Sequence, residues 1–106
     1  MTETGFLQRA ELVFAAIERA IDASAADIES SRSGNVLTLE LADRSRVVIN
    51  SQAPMQQMWV AGRNGAFHYA WSDGAWRDTR DGSELFAALS RLVSAQGGEP
   101  VVLGAG

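Results

Sequence analysis

The sequence predicts an α+β fold: a two-layer sandwich in which two helices pack on one face of an antiparallel sheet. Three observations predict it. Apolar residues recur at helical spacing near each end of the chain, and between those stretches the hydrophobic pattern alternates with a period of two. Turn-forming residues punctuate the alternating region at short intervals, which suits hairpins between antiparallel strands. A helix, a run of strands and a second helix place both helices over one sheet face and leave the other solvated or available to a partner.

The elements follow in order. Over residues 5–23, Phe6, Ala10, Val13, Phe14, Ile17 and Ile21 form one apolar stripe, with Thr4 expected as the N-cap. Ser30 to Asn35 is turn chemistry ahead of the first strand. Leu37, Leu39 and Leu41 then alternate with Thr38 and Glu40, Ala42 to Ser45 turns, and Arg46 to Asn50 returns. Met58 and Val60 alternate with Gln57 and Trp59, and Arg63-Asn64-Gly65 signals a hairpin. Phe67, Tyr69 and Trp71 alternate with His68 and Ala70, after which Ser72-Asp73-Gly74 leads to a short strand around Trp76. Helical spacing resumes over 82–96 through Leu85, Leu89, Leu92 and Val93, with Asp81 and Glu84 spaced as a capping box. Gly97-Gly98 ends that helix, and Val101 to Leu103 is an apolar tail. No repeat, low-complexity tract or linker divides the chain, so residues 1–106 read as a single domain.

Composition removes several kinds of chemistry. With no Cys there is no disulfide, thiolate nucleophile or thiolate metal site, and one His excludes a multi-histidine centre built from this chain alone. No nucleophile–base pair, phosphate-cradling glycine loop or paired buried carboxylates are evident, which argues against an enzyme. No apolar run is long enough to span a bilayer, and MTETGFLQRAELVF is neither a signal peptide nor an Arg-rich presequence; a cytosolic protein with no membrane partner is expected.

The charge has a location. Residues 1–29 hold six acids against Arg9 and Arg19, whereas the rest of the chain is balanced, so the net charge of −4 belongs to the N-terminal quarter. Such a surface favours cations or a basic protein over nucleic acid. At about 100° per residue, Glu11, Glu18 and Asp22 project within a stripe of roughly 40°, away from the apolar stripe. Asp27 and Glu29 follow in the loop, and Glu40 lies on the outer face of the first strand. A solvated helix face is the commoner meaning of such a stripe. As ligands, these hard oxygens suit loosely held iron, or Mn, Ca or Mg, with water completing the shell. On the sheet, Asn50, Gln52, Gln57, Trp59 and His68 share the outward face; an aromatic ringed by amides is the composition of an interface hot spot. Trp71 and Trp76 are expected in packing, and Pro54 in the turn that aims Trp59.

The segment Asn50-Ser51-Gln52-Ala53-Pro54-Met55-Gln56-Gln57-Met58-Trp59 has the form N-x-Q-x-P-x-x-Q-x-W. With Tyr69, Trp71, Trp76 and Asp81-Gly82 downstream and the same order of elements, it resembles the bacterial frataxin family over residues 6–103. The resemblance implies a monomer that binds ferrous and ferric iron weakly, an iron-dependent oligomer being left open. It also implies contact with the cysteine desulfurase and the iron–sulfur scaffold protein, and modulation of the desulfurase according to iron supply. It assigns iron to Glu11, Glu18, Asp22, Asp27, Glu29 and Glu40, and partner contact to Asn50, Gln52, Gln57, Trp59 and His68. Family members carry a dense acidic run at the end of the first helix; Asp22-Ala23-Ser24-Ala25-Ala26-Asp27 is sparser, which predicts fewer or weaker iron sites. Two alternatives stand beside this: an acidic adaptor that docks on the desulfurase without metal, and a haem-binding variant using His68.

Overall fold

The computed structural model describes residues 1–104. Its elements are α1 (Glu3–Ala23), β1 (Glu29–Ser33), β2 (Val36–Glu40), β3 (Arg46–Gln52), β4 (Gln57–Gly62), β5 (Gly65–Ser72), β6 (Ala75–Asp78) and α2 (Leu85–Gly97). The strands form one antiparallel sheet whose spatial order is the sequence order, so every pairing is a hairpin and no strand crosses over. Alternation decides the faces. Leu37, Leu39, Val47, Ile49, Met58, Val60, Tyr69 and Trp76 point inward and are buried. The helices close over them with Phe6, Phe14, Ile17, Ile21, Leu85, Leu89 and Val93. The expected two-layer α+β sandwich is the fold found.

Three local features differ from expectation. Helix α1 starts two residues earlier: Thr2, not Thr4, is the N-cap, its hydroxyl accepting from the Gly5 N–H at 3.0 Å while the Phe6 N–H reaches the Thr2 carbonyl. Glu3 then occupies the first turn, where a negative charge suits the helix dipole. Glu29–Ser33 is a strand, not turn or loop: it pairs with β2 from Glu29↔Glu40 to Ser33↔Val36, and only Gly34 and Asn35 turn. Pairing supplies what its polar sequence does not advertise, because β2 otherwise presents an unpaired edge of backbone groups. At α2, Glu84 is itself the N-cap, its carboxylate accepting from the Phe86 and Ala87 N–H groups at 2.7 and 3.1 Å. Asp81 instead closes a turn by accepting from the Ser83 N–H.

Two polar devices hold the layers together. Gln96 on α2 is 5% exposed; it accepts from the Arg63 N–H at 2.8 Å and donates to the Ser45 hydroxyl and the Arg46 carbonyl. One side chain thus ties the β2–β3 turn to the β4–β5 turn. Gly98, at φ 73°, ends α2 in the left-handed conformation that glycine adopts without strain. The chain then doubles back, and Ser94 and Ser90, one turn apart, bond the backbones of Val101 and Leu103, whose side chains are buried.

Candidate docking face and acidic flank

The uncovered sheet face is built by register. Asn50 pairs with Trp59, which pairs with His68, so the three lie in one row across β3, β4 and β5. Gln52 pairs with Gln57 in the adjacent row. All five expected docking residues therefore share one outward surface, each partly buried by its neighbours. The Trp59 indole stacks on the His68 imidazole with ring centroids 4.4 Å apart and 14° between planes. Its Nε1–H donates to Gln57 Oε1 at 2.9 Å, which fixes the ring from a second direction. Met58 and Tyr69, flanking these residues in sequence, are buried on the opposite face. The result is a preformed aromatic platform edged by side-chain amides, with little rotamer freedom left to lose on binding.

Arg77 extends this face. It follows the inward Trp76, pairs with Ala70 beside Gln57 and Gln52, and reaches the Gly82 carbonyl at 3.3 Å. Its parity, opposite to that of the buried Trp76, is the sequence signal that marks it.

The candidate iron ligands fall into separate places. Glu11, exposed on α1, is ion-paired to Arg32 of β1, and that hydrogen bond holds its carboxyl below the usual carboxylate range. The same guanidinium lies 4.3 Å over the Phe14 ring, and its own pKa is raised by the hydrogen bond to Glu11, with Glu18 adding to the effect. Asp22 and Asp27 are exposed at and beyond the end of α1. Glu29 and Glu40 are brought together as direct partners on the outward sheet face, where Glu40 also meets Arg46 at 3.8 Å. Among the described residues no three His, Asp or Glu side chains converge on one point. Any ion here would be held by one or two carboxylates and otherwise by water, the donor set of a labile hard cation. Arg32 escaped the sequence reading because its strand did.

An open, aromatic-and-amide sheet face backed by two helices, with acids along the flank of the first, places the protein among the two-layer α+β sandwiches that present one free face. The frataxin-like domain model matches residues 1–99, and the chain belongs to that family. It is 54% identical over 101 residues, 95% of this chain and 96% of the relative, to the iron-sulfur cluster assembly protein CyaY of Paraburkholderia xenovorans (strain LB400). It is 47% identical over 108 residues, 99% of this chain and 100% of the relative, to the protein of that name from Burkholderia mallei (strain SAVP1). Among solved structures, frataxin from Psychromonas ingrahamii matches with a TM-score of 0.89 and 34% identity over 96% of this chain and 97% of that one. A trimeric frataxin from Saccharomyces cerevisiae, complexed with ferrous, matches with a TM-score of 0.68 and 25% identity over 93% of this chain and 88% of that one. No helix among the described residues is long and apolar enough to cross a membrane.

Proposed function

We propose that this chain serves iron–sulfur cluster assembly as a weak iron binder that docks on the cysteine desulfurase–scaffold complex and adjusts desulfurase activity to iron supply. One observation carries the reading. A chain similar over nearly its whole length to proteins named for this assembly leaves the Asn50–Trp59–His68 row uncovered and preformed. The row supplies apolar contact area and side-chain amides to a partner. The acids of α1 supply a negative flank suited to a basic partner surface, to iron, or to both in turn.

Iron is cargo in this reading. Glu11, Asp22, Asp27 and Glu29 are exposed and Glu18 and Glu40 half-buried, and carboxylate oxygens so placed bind and release quickly. The yeast relative's ferrous complex is the comparison that supports iron over a metal-free adaptor. The deciding experiment is a cysteine desulfurase assay on the assembled scaffold complex, with and without this protein, each with and without ferrous iron. Modulation that requires iron supports the proposal. Modulation of equal size without iron replaces it with the adaptor, and no effect in any arm overturns the docking itself.

A further inference from the structure

Arg9 and Arg19 are the only bases among the first 29 residues, and neither belongs to the docking face or the acidic flank. At about 100° per residue Arg9 lies roughly 160° around α1 from Glu11. The helix therefore turns its acids toward β1, where Arg32 meets Glu11, and Arg9 toward the β5–β6 hairpin. Both arginines line a groove of about 300 Å³ between α1, that hairpin and the start of α2, walled by Leu12, Val13, Trp71 and Phe86. The Arg9 guanidinium lies 4.1 Å from the centre of the Trp71 ring. Neither arginine has an ion-pair partner among the described residues, and Leu12 is 68% exposed. Glu84 also borders the groove, but its carboxylate oxygens are turned to the backbone of α2.

Two guanidiniums with no ion-pair partner among the described residues, beside the exposed Leu12 and the half-buried Trp71, are complementary to an anion that carries an apolar group. Their separation narrows the choice. Ten residues of helix rise about 15 Å, a distance that four to five residues of extended chain cover. We propose that this groove binds an acidic peptide segment of a partner protein. Carboxylates spaced about four residues apart meet Arg9 and Arg19, and the apolar side chain between them rests on Leu12 and Trp71. The site is independent of the docking face and of iron, so it stands or falls apart from the function proposed above.

The test is a two-dimensional ¹H–¹⁵N NMR titration of the full chain with the capped peptide acetyl-Asp-Ser-Leu-Ser-Asp-amide and its Asn-for-Asp counterpart. The acidic peptide should shift the Arg9 and Leu12 amides and the Trp71 indole N–H, and added salt should weaken the effect. Arg9→Gln and Arg19→Gln should each weaken binding by about two- to fivefold. Arg19→Gln, at an exposed position with no stacking contact, remains informative should Arg9→Gln disturb the packing over Trp71. Equal shifts with the Asn peptide, shifts centred on Trp59, or no shift at millimolar peptide would each overturn the proposal. So would shifts that depend only on the protein's own concentration, which would make a second copy of the chain the occupant.

Discussion

Trp76 and Trp59 stand on opposite faces of the same sheet, and the face decides what each substitution costs. Trp76 is 4% exposed and packs edge-on against both Phe6 and Trp71, so Trp76→Ala should lower the unfolding free energy by about 3–5 kcal/mol in urea titration. Trp59→Ala loses the stack on His68 and the bond to Gln57, about 0.5–1.5 kcal/mol by the same measurement, yet should weaken association with the desulfurase–scaffold complex. Arg32 acts as a tethered cation already seated on Glu11. Arg32→Gln should tighten ferrous or manganous binding at α1 by about two- to fivefold, read from paramagnetic broadening of the residue 11–22 amides. Asp43 carries a clear pH dependence. Bonds from the Ser45 hydroxyl, the Ser45 N–H and Arg63 hold its carboxyl at about 2, below the ordinary 3.8. The folded value is the depressed one, so its stabilisation is complete above about pH 4 and disappears as pH falls through about 2. Asp43→Asn should therefore flatten the fall in urea midpoint across that acid window.

At the scale of elements, α2 is positioned by close approach as much as by its apolar face. A β-carbon at Gly62 would stand 2.9 Å from Gln96 Oε1 and 3.2 Å from Leu92, and Gln96 is pinned by its bonds to Ser45, Arg46 and Arg63. Gly62→Ala should destabilise the protein by about 1–3 kcal/mol. Combining it with Gln96→Ala should show positive coupling by double-mutant cycle, because the obstructing oxygen is then gone. The sequence revealed elements in proportion to their apolar periodicity. Both helices and five strands were legible because burial imprints a period on Phe6 to Ile21, Leu37 to Trp76 and Leu85 to Val93. β1 was not, since an edge strand reading Glu29-Ser30-Ser31-Arg32-Ser33 buries little and is composed of turn formers. That Asn50, Gln52, Gln57, Trp59 and His68 share the outward sheet face was legible from strand parity. The Arg32–Glu11 pair and the Gln96 tie were not, because each joins residues at least 21 positions apart whose meeting depends on how the helices lie on the sheet.

For the molecule as a whole, a sheet with one apolar face must be covered by helices that come from before its first strand and after its last. The tail completes that cover, with Val101 and Leu103 buried and their backbones held by Ser94 and Ser90. Replacing both with Ser should lower the unfolding free energy by about 3–6 kcal/mol, seen as a fall in Tm with the open sheet face unaltered. The strand order also bears on how the protein is made. As the chain leaves the ribosome, β1 to β6 emerge next to their partners and can zip in turn. The side they form is only half roofed until α2 and the tail behind it have been synthesised. Val60 and Tyr69, which line one cavity with Leu89 and Leu92 of α2, therefore remain an adhesive surface until α2 has emerged behind the sheet and closed over them.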